Sequence, residues 1–323
     1  MKLIIQIPAY NEEETLAIAL SQLPREVPGF DRVEWLVIDD GSSDETVRIA
    51  KENGVDHIVS HTCNQGLARA FMTGLDECLG LEADVIVNTD ADNQYNAEDI
   101  PALTAPIIGN RADIVVGARP IKTIEHFSPI KKVLQKVGSW VVRWVSQTDI
   151  PDAPSGFRAF SRSAAQRLIV FSEYTYTLET IIQAGQKNMA IQAVEVRVNE
   201  DLRPSRLLKS IPAYILRSFI TIIRIFVVYR PFRFFSLVGA WLFGLGFLIG
   251  LRYLWFYWHG DGAGHVQSLI LASIFLSMGF QAFMIAFVAD LLAANRKLME
   301  DVRYLMKTAE DNHHPCRSDN TKR

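Results

Sequence analysis

An α/β domain built on a mostly parallel sheet, followed by a pair of membrane-spanning helices, is the fold class that the sequence predicts. Three observations carry it. Short runs rich in Ile and Val alternate with longer segments of helical composition over the first 200 residues, as strands joined by crossover helices do. Asp-rich polar clusters follow several of these runs. Two apolar stretches near the C-terminal end are each long enough to cross a bilayer.

Taken in order, the strand-like runs are Leu3 to Ile7, Trp35 to Ile38, His57 to Ser60, Val85 to Asn88 and Ile114 to Val116. In open parallel sheets ligands bind outside the carboxyl ends of the strands. Three polar clusters fall at those ends: Pro8-Ala9-Tyr10-Asn11-Glu12, Asp39 through Asp44, and Asp90-Ala91-Asp92-Asn93-Gln94. One cleft therefore collects many carboxylates.

Beyond this region, Phe234 to Trp258 is a 25-residue run with Arg252 as its only charge, and Ser268 to Ala289 has no formal charge. Both meet the length needed for about 30 Å of hydrocarbon, and together they predict a helical hairpin. The His259 to His265 turn between them lacks Lys and Arg, whereas Arg224, Arg230 and Arg233 precede the first span and Arg296 and Lys297 follow the second. By the positive-inside rule, both termini and the N-terminal domain are expected to face the cytoplasm. The Gly239, Gly244, Gly246 and Gly250 series offers neighbouring copies a packing surface, so a homo-oligomer is among the expected partners.

Composition narrows the classes further. With 33 Lys+Arg against 36 Asp+Glu and 49% hydrophobic residues in 323, the chain is neither disordered nor a basic nucleic-acid binder, and no nucleic-acid partner is expected. Cys63, Cys78 and Cys316 form no CxxC pair, which fits a reduced compartment. The N-terminus enters a strand pattern directly, without the features of a signal peptide.

The acidic clusters suggest specific chemistry. Asp90 and Asp92, two apart at a strand end, present hard oxygens suited to Mg²⁺ or Mn²⁺, with Gln94 as a neutral oxygen. An Asp-rich turn capping the helix near Glu98 explains the same residues. Asp39 is placed to accept hydrogen bonds from a nucleobase or ribose, while Ser43 or Asp44 suits a helix cap. Neither GxGxxG nor GxxxxGK[ST] occurs, so a dinucleotide fold and a P-loop are unsupported.

In order along the chain, the Pro8 to Glu12 cluster, Asp39 to Thr46, Asn64 with Gly66, Asp90-Ala91-Asp92 with Gln94, Gly117-Ala118-Arg119, and Asp152 ahead of Ser155-Gly156-Phe157-Arg158 resemble the motif series of family 2 glycosyltransferases. The chain is similar to the dolichol-phosphate mannosyltransferase type, over residues 1 to about 230. That resemblance implies a Rossmann-like GT-A nucleotide-sugar domain followed by amphipathic interfacial helices and the two-helix hairpin. It also implies a membrane-bound, inverting transfer of a monosaccharide from a nucleotide sugar to a polyprenyl (undecaprenyl or dolichyl) phosphate at a bacterial-type cytoplasmic membrane. Pro8, Tyr10, Glu12, Asp39 and Asp90 would line the nucleotide pocket. Asp90, Asp92 and Gln94 would hold the metal. Arg119 and Arg158 would contact diphosphate or acceptor phosphate, and Asp152 would act as base, as an orienting group, or simply as a turn residue. Ala118, where the family often has Ser, and Asn93 with Tyr95 leave the donor sugar open.

The expected organisation is a GT-A domain at 1–204, an amphipathic juxtamembrane segment at 205–233, the hairpin at 234–292 and a polar tail at 293–323. In the juxtamembrane segment, Ser210 and Pro212 can start a helix on which Arg217 and Arg224, seven apart, share a face opposite Ile211, Ile215, Phe219, Ile222 and Phe226. Such a helix lies in the interface, apolar side in lipid. Arg203, Arg206, Arg217 and Arg224 are the candidate acceptor-phosphate contacts, with attraction to anionic lipid as the simpler account. Lys131 to Trp144 is a second basic segment suited to the membrane surface or to packing on the sheet. Glu179 resembles the acidic helix position near the acceptor side in this family, with a solvated or capping residue as the simpler reading.

Two other functions fit parts of the pattern. A processive polysaccharide synthase would carry QxxRW and more spans, but Trp140 stands where Gln is required before Arg143-Trp144. A non-catalytic membrane scaffold or carrier would not need Asp39, Asp90 and Asp92 intact.

Overall fold

The computed structural model describes residues 1–120, 148–170, 176–199, 227–260 and 262–313, with single positions at 143, 146, 220, 223 and 224. The chain divides into two compact units, Met1–Tyr214 with Tyr304–Arg323, and Ile215–Arg303.

The first unit holds a seven-stranded sheet in the order β3-β2-β1-β4-β6-β5-β7. Its strands are β1 (Lys2–Ala9), β2 (Arg32–Asp39), β3 (His57–Ser60), β4 (Val85–Asn88), β5 (Ile114–Ala118), β6 (Arg158–Ser161) and β7 (Ile191–Glu195). The intervening helices are α1 (Leu16–Gln22), α2 (Thr46–Glu52), α3 (Leu67–Gly80), α4 (Ile100–Ile108), α5 (Arg162–Arg167) and α6 (Thr177–Gln186). All five runs identified in the sequence are strands. The central strands are apolar almost throughout because helices cover both faces: Leu3, Ile5 and Ile7 pack with Leu16 and Leu20 of α1 and Leu103 of α4, and the opposite face meets α3. Gly74 permits that approach, since a Cβ there would lie 2.6 Å from Gln6 Oε1 and 2.7 Å from Ile38 Cδ1.

The mostly parallel expectation holds for β1 with β2 and β4, for β2 with β3, and for β5 with β7. It misses β6, which inserts antiparallel between β4 and β5. Asn88 is thereby opposite Arg158, and the Asp152 to Phe157 segment enters beside the carboxyl end of β4.

The second unit contains α7 (Pro231–Trp258) and, as far as Arg303, α8 (Val266–His313). Helix α7 starts three residues before the apolar run, with Pro231 in its first turn, a position where proline's missing N–H costs nothing. Helix α8 continues past the second apolar run into the segment read as a polar tail. Each helix is long and apolar enough to cross a bilayer, and its most apolar window is only 11% (α7) or 22% (α8) buried. A core helix of a soluble protein would be mostly buried; these apolar faces are those of a membrane protein. The two helices meet at glycine: a Cβ on Gly246 would lie 2.8 Å from Leu276 N and 2.9 Å from Ala272 O, and one on Gly279 would lie 2.7 Å from Phe243 N. Gly239 and Gly246 thus serve contact within the hairpin, which corrects the expectation that they face another copy; Gly244 has nothing within 4 Å. The Lys131 to Trp144 segment and the amphipathic helix after Ser210 lie largely outside the described residues.

Candidate active site

Parallel pairing sets the carboxyl ends of β2, β1 and β4 side by side, with Ala9 in register with Asp39. The two loops that follow β1 and β2 are laced together. Asn11 N donates to Ser42 Oγ at 3.0 Å, Ser43 N to Asn11 Oδ1 at 2.9 Å, and Glu12 N to Thr46 Oγ1 at 2.9 Å. Asn11 adopts φ 53°, a left-handed conformation that asparagine tolerates well. Pro8 is buried in β1, Tyr10 is exposed at its end, and Glu12 Oε2 accepts from Thr15 Oγ1 at 2.8 Å. Asp39 is nearly buried and accepts from Ser42 N at 2.9 Å through Oδ1.

Asp40, beside it, ties the sheet to α3. Its carboxylate accepts from Gln65 N at 2.9 Å and Gly66 N at 2.8 Å, and pairs with His61 Nδ1 at 2.7 Å, whose Nε2 lies 3.0 Å from Thr73 Oγ1. The sequence reading missed this network. Gly41 closes the same corner: its φ is +76° and a Cβ would lie 2.7 Å from the Cys63 carbonyl carbon.

Asp90, Asp92 and Gln94 follow β4. Burial first, then the Asp92 and Glu12 charges, raise the Asp90 carboxyl against the pull of Arg119 and Arg158, and the balance holds it at about 7. Four of the expected site residues therefore act electrostatically on Asp90. Gln94 N donates to Asp92 Oδ1 at 3.1 Å. The capping role that competed for these aspartates belongs instead to Asn96, whose side chain accepts from Glu98 N. Among the described residues no group of three or more His, Cys, Asp or Glu gathers. Asp90, Asp92 and Gln94 offer two carboxylates and an amide oxygen. Hard oxygens that leave room for water and phosphate fit Mg²⁺ or Mn²⁺, and a cation would relieve the repulsion that raises Asp90.

Arg119, at the end of β5, forms a two-pronged pair with Asp152: Nε to Oδ2 at 2.7 Å and Nη2 to Oδ1 at 3.1 Å. Its Nη1 reaches Gln94 Oε1 at 3.5 Å. Burial opposes the guanidinium charge, yet Tyr95 and Asp152 together raise its pKa. Asp152 has no exposed side-chain surface, so in this state it is the counter-ion of Arg119. Tyr95, buried at the same junction, stacks on Phe157 and accepts from Gly156 N at 3.0 Å.

Arg158 departs from expectation. It is fully buried, and its guanidinium donates to the carbonyls of Ser155 (2.8 Å), Thr177 (2.7 Å) and Ala153 (2.7 Å) and to Thr180 Oγ1. Burial pulls its pKa down to about 10. It clamps the Asp152 to Gly156 loop onto α6 and offers no exposed surface to a phosphate. Glu179, read as solvated or capping, is also buried. Of the acceptor-side candidates, Arg203, Arg206 and Arg217 lie outside the described residues; Arg224 is helical and exposed.

The model of the family described as "Glycosyl transferase family 2" matches residues 4–169, just over half of the chain. The chain belongs to glycosyl transferase family 2. A UDP-N-acetylglucosamine–dolichyl-phosphate N-acetylglucosaminyltransferase of Methanococcus voltae is 31% identical over 213 residues, 59% of this chain and 83% of that protein. An undecaprenyl-phosphate 4-deoxy-4-formamido-L-arabinose transferase of Pseudomonas fluorescens is 26% identical over 320 residues, 93% of this chain and 86% of that one. Among solved structures, glucosyl-3-phosphoglycerate synthase of Mycobacterium tuberculosis, crystallised with Mn²⁺, UDP and its product, matches with a TM-score of 0.51 at 20% identity, over 68% of this chain and 79% of that one. The shared fold is GT-A, and this family 2 member is a glycosyltransferase.

Proposed function

We propose that the protein is a membrane-bound inverting glycosyltransferase that moves a monosaccharide from a nucleotide sugar to a polyprenyl phosphate. The observation that carries this reading is the joining of a GT-A acidic cleft to two lipid-facing helices in one chain. The Pseudomonas fluorescens undecaprenyl-phosphate transferase supports it by matching along 93% of the chain, helices included.

Pro8, Tyr10, Glu12 and Asp39 would line the nucleotide pocket, and Asp90, Asp92 and Gln94 would hold Mg²⁺ or Mn²⁺. When bound, the metal supplies charge neutralisation for the leaving nucleoside diphosphate. The acceptor oxygen attacks the anomeric carbon as the bond to the diphosphate breaks. A phosphate monoester, with a second pKa of about 6, is already ionised at neutral pH, so no strong base is required. That suits the Arg119–Asp152 pair, in which Asp152 fixes the guanidinium plane rather than offering a free carboxylate. Catalysis then rests on positioning and charge.

Arg203, Arg206, Arg217 and Arg224 would meet the acceptor phosphate at the bilayer surface. Arg224, Arg230, Arg233, Arg296 and Lys297 flank the two spans, while the turn between them has no Lys or Arg, which supports a cytoplasmic catalytic domain and cytoplasmic termini.

The test is transfer of label from a panel of UDP- and GDP-sugars to undecaprenyl phosphate by the detergent-solubilised full chain, with Mn²⁺ and with EDTA. EDTA-sensitive labelling of the lipid is expected with at least one donor. Absence of labelling with every donor, in folded protein that binds a nucleotide sugar, would overturn the reading.

A further inference from the structure

A thread of polar side chains runs through the otherwise apolar layer between the sheet and α3. Gln6 Nε2 donates to Asn88 Oδ1 at 2.9 Å; Asn88 Nδ2 donates to Gly156 O and to the Tyr176 hydroxyl, both at 2.9 Å; and the hydroxyl itself lies 3.3 Å from Gly156 O. Gln6 and Asn88 are fully buried and Tyr176 nearly so. The Tyr176 ring stacks on Phe71 of α3, with centroids 3.9 Å apart and planes 7° from parallel. Buried polar groups in such a layer are costly unless every member is satisfied, and a fully satisfied network holds its members in one arrangement.

The thread ends under the acidic site. A Cβ on Gly156 would lie 2.9 Å from the Tyr176 hydroxyl and 3.0 Å from both carboxylate oxygens of Asp90. The Gly156 α-carbon therefore fills the gap between the phenol and the carboxylate, with room for hydrogen only. We infer that Tyr176, held by Asn88, is a positioning residue for the metal: it fixes the Gly156 main chain as the floor against which the Asp90 carboxylate is oriented. None of the three was expected from sequence to touch the metal. Their role is that of groups behind the ligands, whose loss typically costs 10- to 100-fold in metal affinity. The inference rests on the assignment of Asp90 as a metal ligand under the proposed function.

The experiment is a titration of the detergent-solubilised full chain with Mn²⁺ alone, the free ion read by electron paramagnetic resonance, for wild type, Tyr176→Phe and Gly156→Ala. Thermal unfolding of each in EDTA accompanies it. Tyr176→Phe keeps the ring on Phe71 and removes only the hydroxyl; it is expected to weaken Mn²⁺ binding roughly 10-fold in folded protein. Gly156→Ala, whose methyl would crowd both the Tyr176 hydroxyl at 2.9 Å and the Asp90 carboxylate at 3.0 Å, is expected to weaken it at least as much. A merely structural role would lower the melting temperature and leave the Mn²⁺ affinity of the folded fraction at the wild-type value, and that result with Tyr176→Phe would overturn the inference. Wild type that binds no Mn²⁺ would overturn it together with the metal assignment, while lipid labelling judges the transfer reaction separately.

Discussion

Arg119 and Asp152, 33 residues apart, meet through two parallel hydrogen bonds of 2.7 and 3.1 Å, with no side-chain surface of Asp152 exposed. The pair joins the end of β5 to the loop that enters β6, beside the acidic site after β4.

Removing one partner of a buried pair leaves an uncompensated charge and costs about 3–5 kcal/mol. Arg119→Gln is therefore expected to lower the melting temperature by roughly 10 °C, a few degrees per kcal/mol in a domain of this size, and to abolish transfer. Arg119→Lys keeps the charge but not the fork, and should recover stability in part. A double-mutant cycle with Asp152→Asn is expected to show strong coupling; additive losses would mean the pair does not act as a unit.

Asp92→Asn should leave circular dichroism and the melting temperature near wild type, because Asp92 is half-buried and its one hydrogen bond within the loop, from Gln94 N, can be accepted by an amide oxygen. Metal-dependent transfer should fall by two orders of magnitude or more. Unchanged turnover would contradict its place in the metal site.

The Asp90 carboxyl has a folded pKa raised to about 7 from 3.8. A raised carboxyl pKa favours the fold below the ordinary value, and that contribution is lost as pH climbs through the folded one. In EDTA, Asp90→Asn should therefore melt progressively higher than wild type as pH rises from about 4 to 7, with the gap level above that. Saturating Mn²⁺ should close the gap from the wild-type side. A pH-independent difference would contradict the shift.

In the hairpin, Gly246→Ala and Gly279→Ala should each destabilise helix packing by about 1–3 kcal/mol, since the new methyl meets backbone. Gly244→Ala, in open space, should be neutral. Thermal unfolding followed by tryptophan fluorescence in detergent distinguishes them, and equal effects at all three positions would contradict the crossing.

Arg217→Glu combined with Arg224→Glu should raise the KM for lipid phosphate several-fold and leave nucleotide-sugar binding within twofold. Equal losses on both sides would count against an interfacial role.

Much of this architecture is legible in the sequence for physical reasons. Strands buried on both faces must be apolar throughout, so β1, β2 and β4 show as Ile/Val runs, and their polar ends mark the cleft. The spans show through length alone. Strand β6 does not, because Arg158-Ala159-Phe160-Ser161 carries a charged and a polar residue in four positions, and β7, Ile191 to Glu195, lies half-exposed at the sheet edge. Arg158 is expected at a phosphate through the resemblance carried by Ser155-Gly156-Phe157-Arg158; the carbonyls of Ala153, Ser155 and Thr177 that hold it converge only when the chain folds. The Asp40–His61 contact spans 21 residues, with no local signal to announce it.

The central claim is that this acidic cleft delivers its sugar to a lipid phosphate. It is tested most directly by offering the detergent-solubilised enzyme undecaprenyl phosphate and 3-phosphoglycerate together, with a labelled nucleotide sugar and Mn²⁺, and partitioning the products between butanol and water. Label is expected in the butanol phase, lost with EDTA and lost in Asp92→Asn. Label on the water-soluble phosphoglycerate, with none in the lipid, would contradict it.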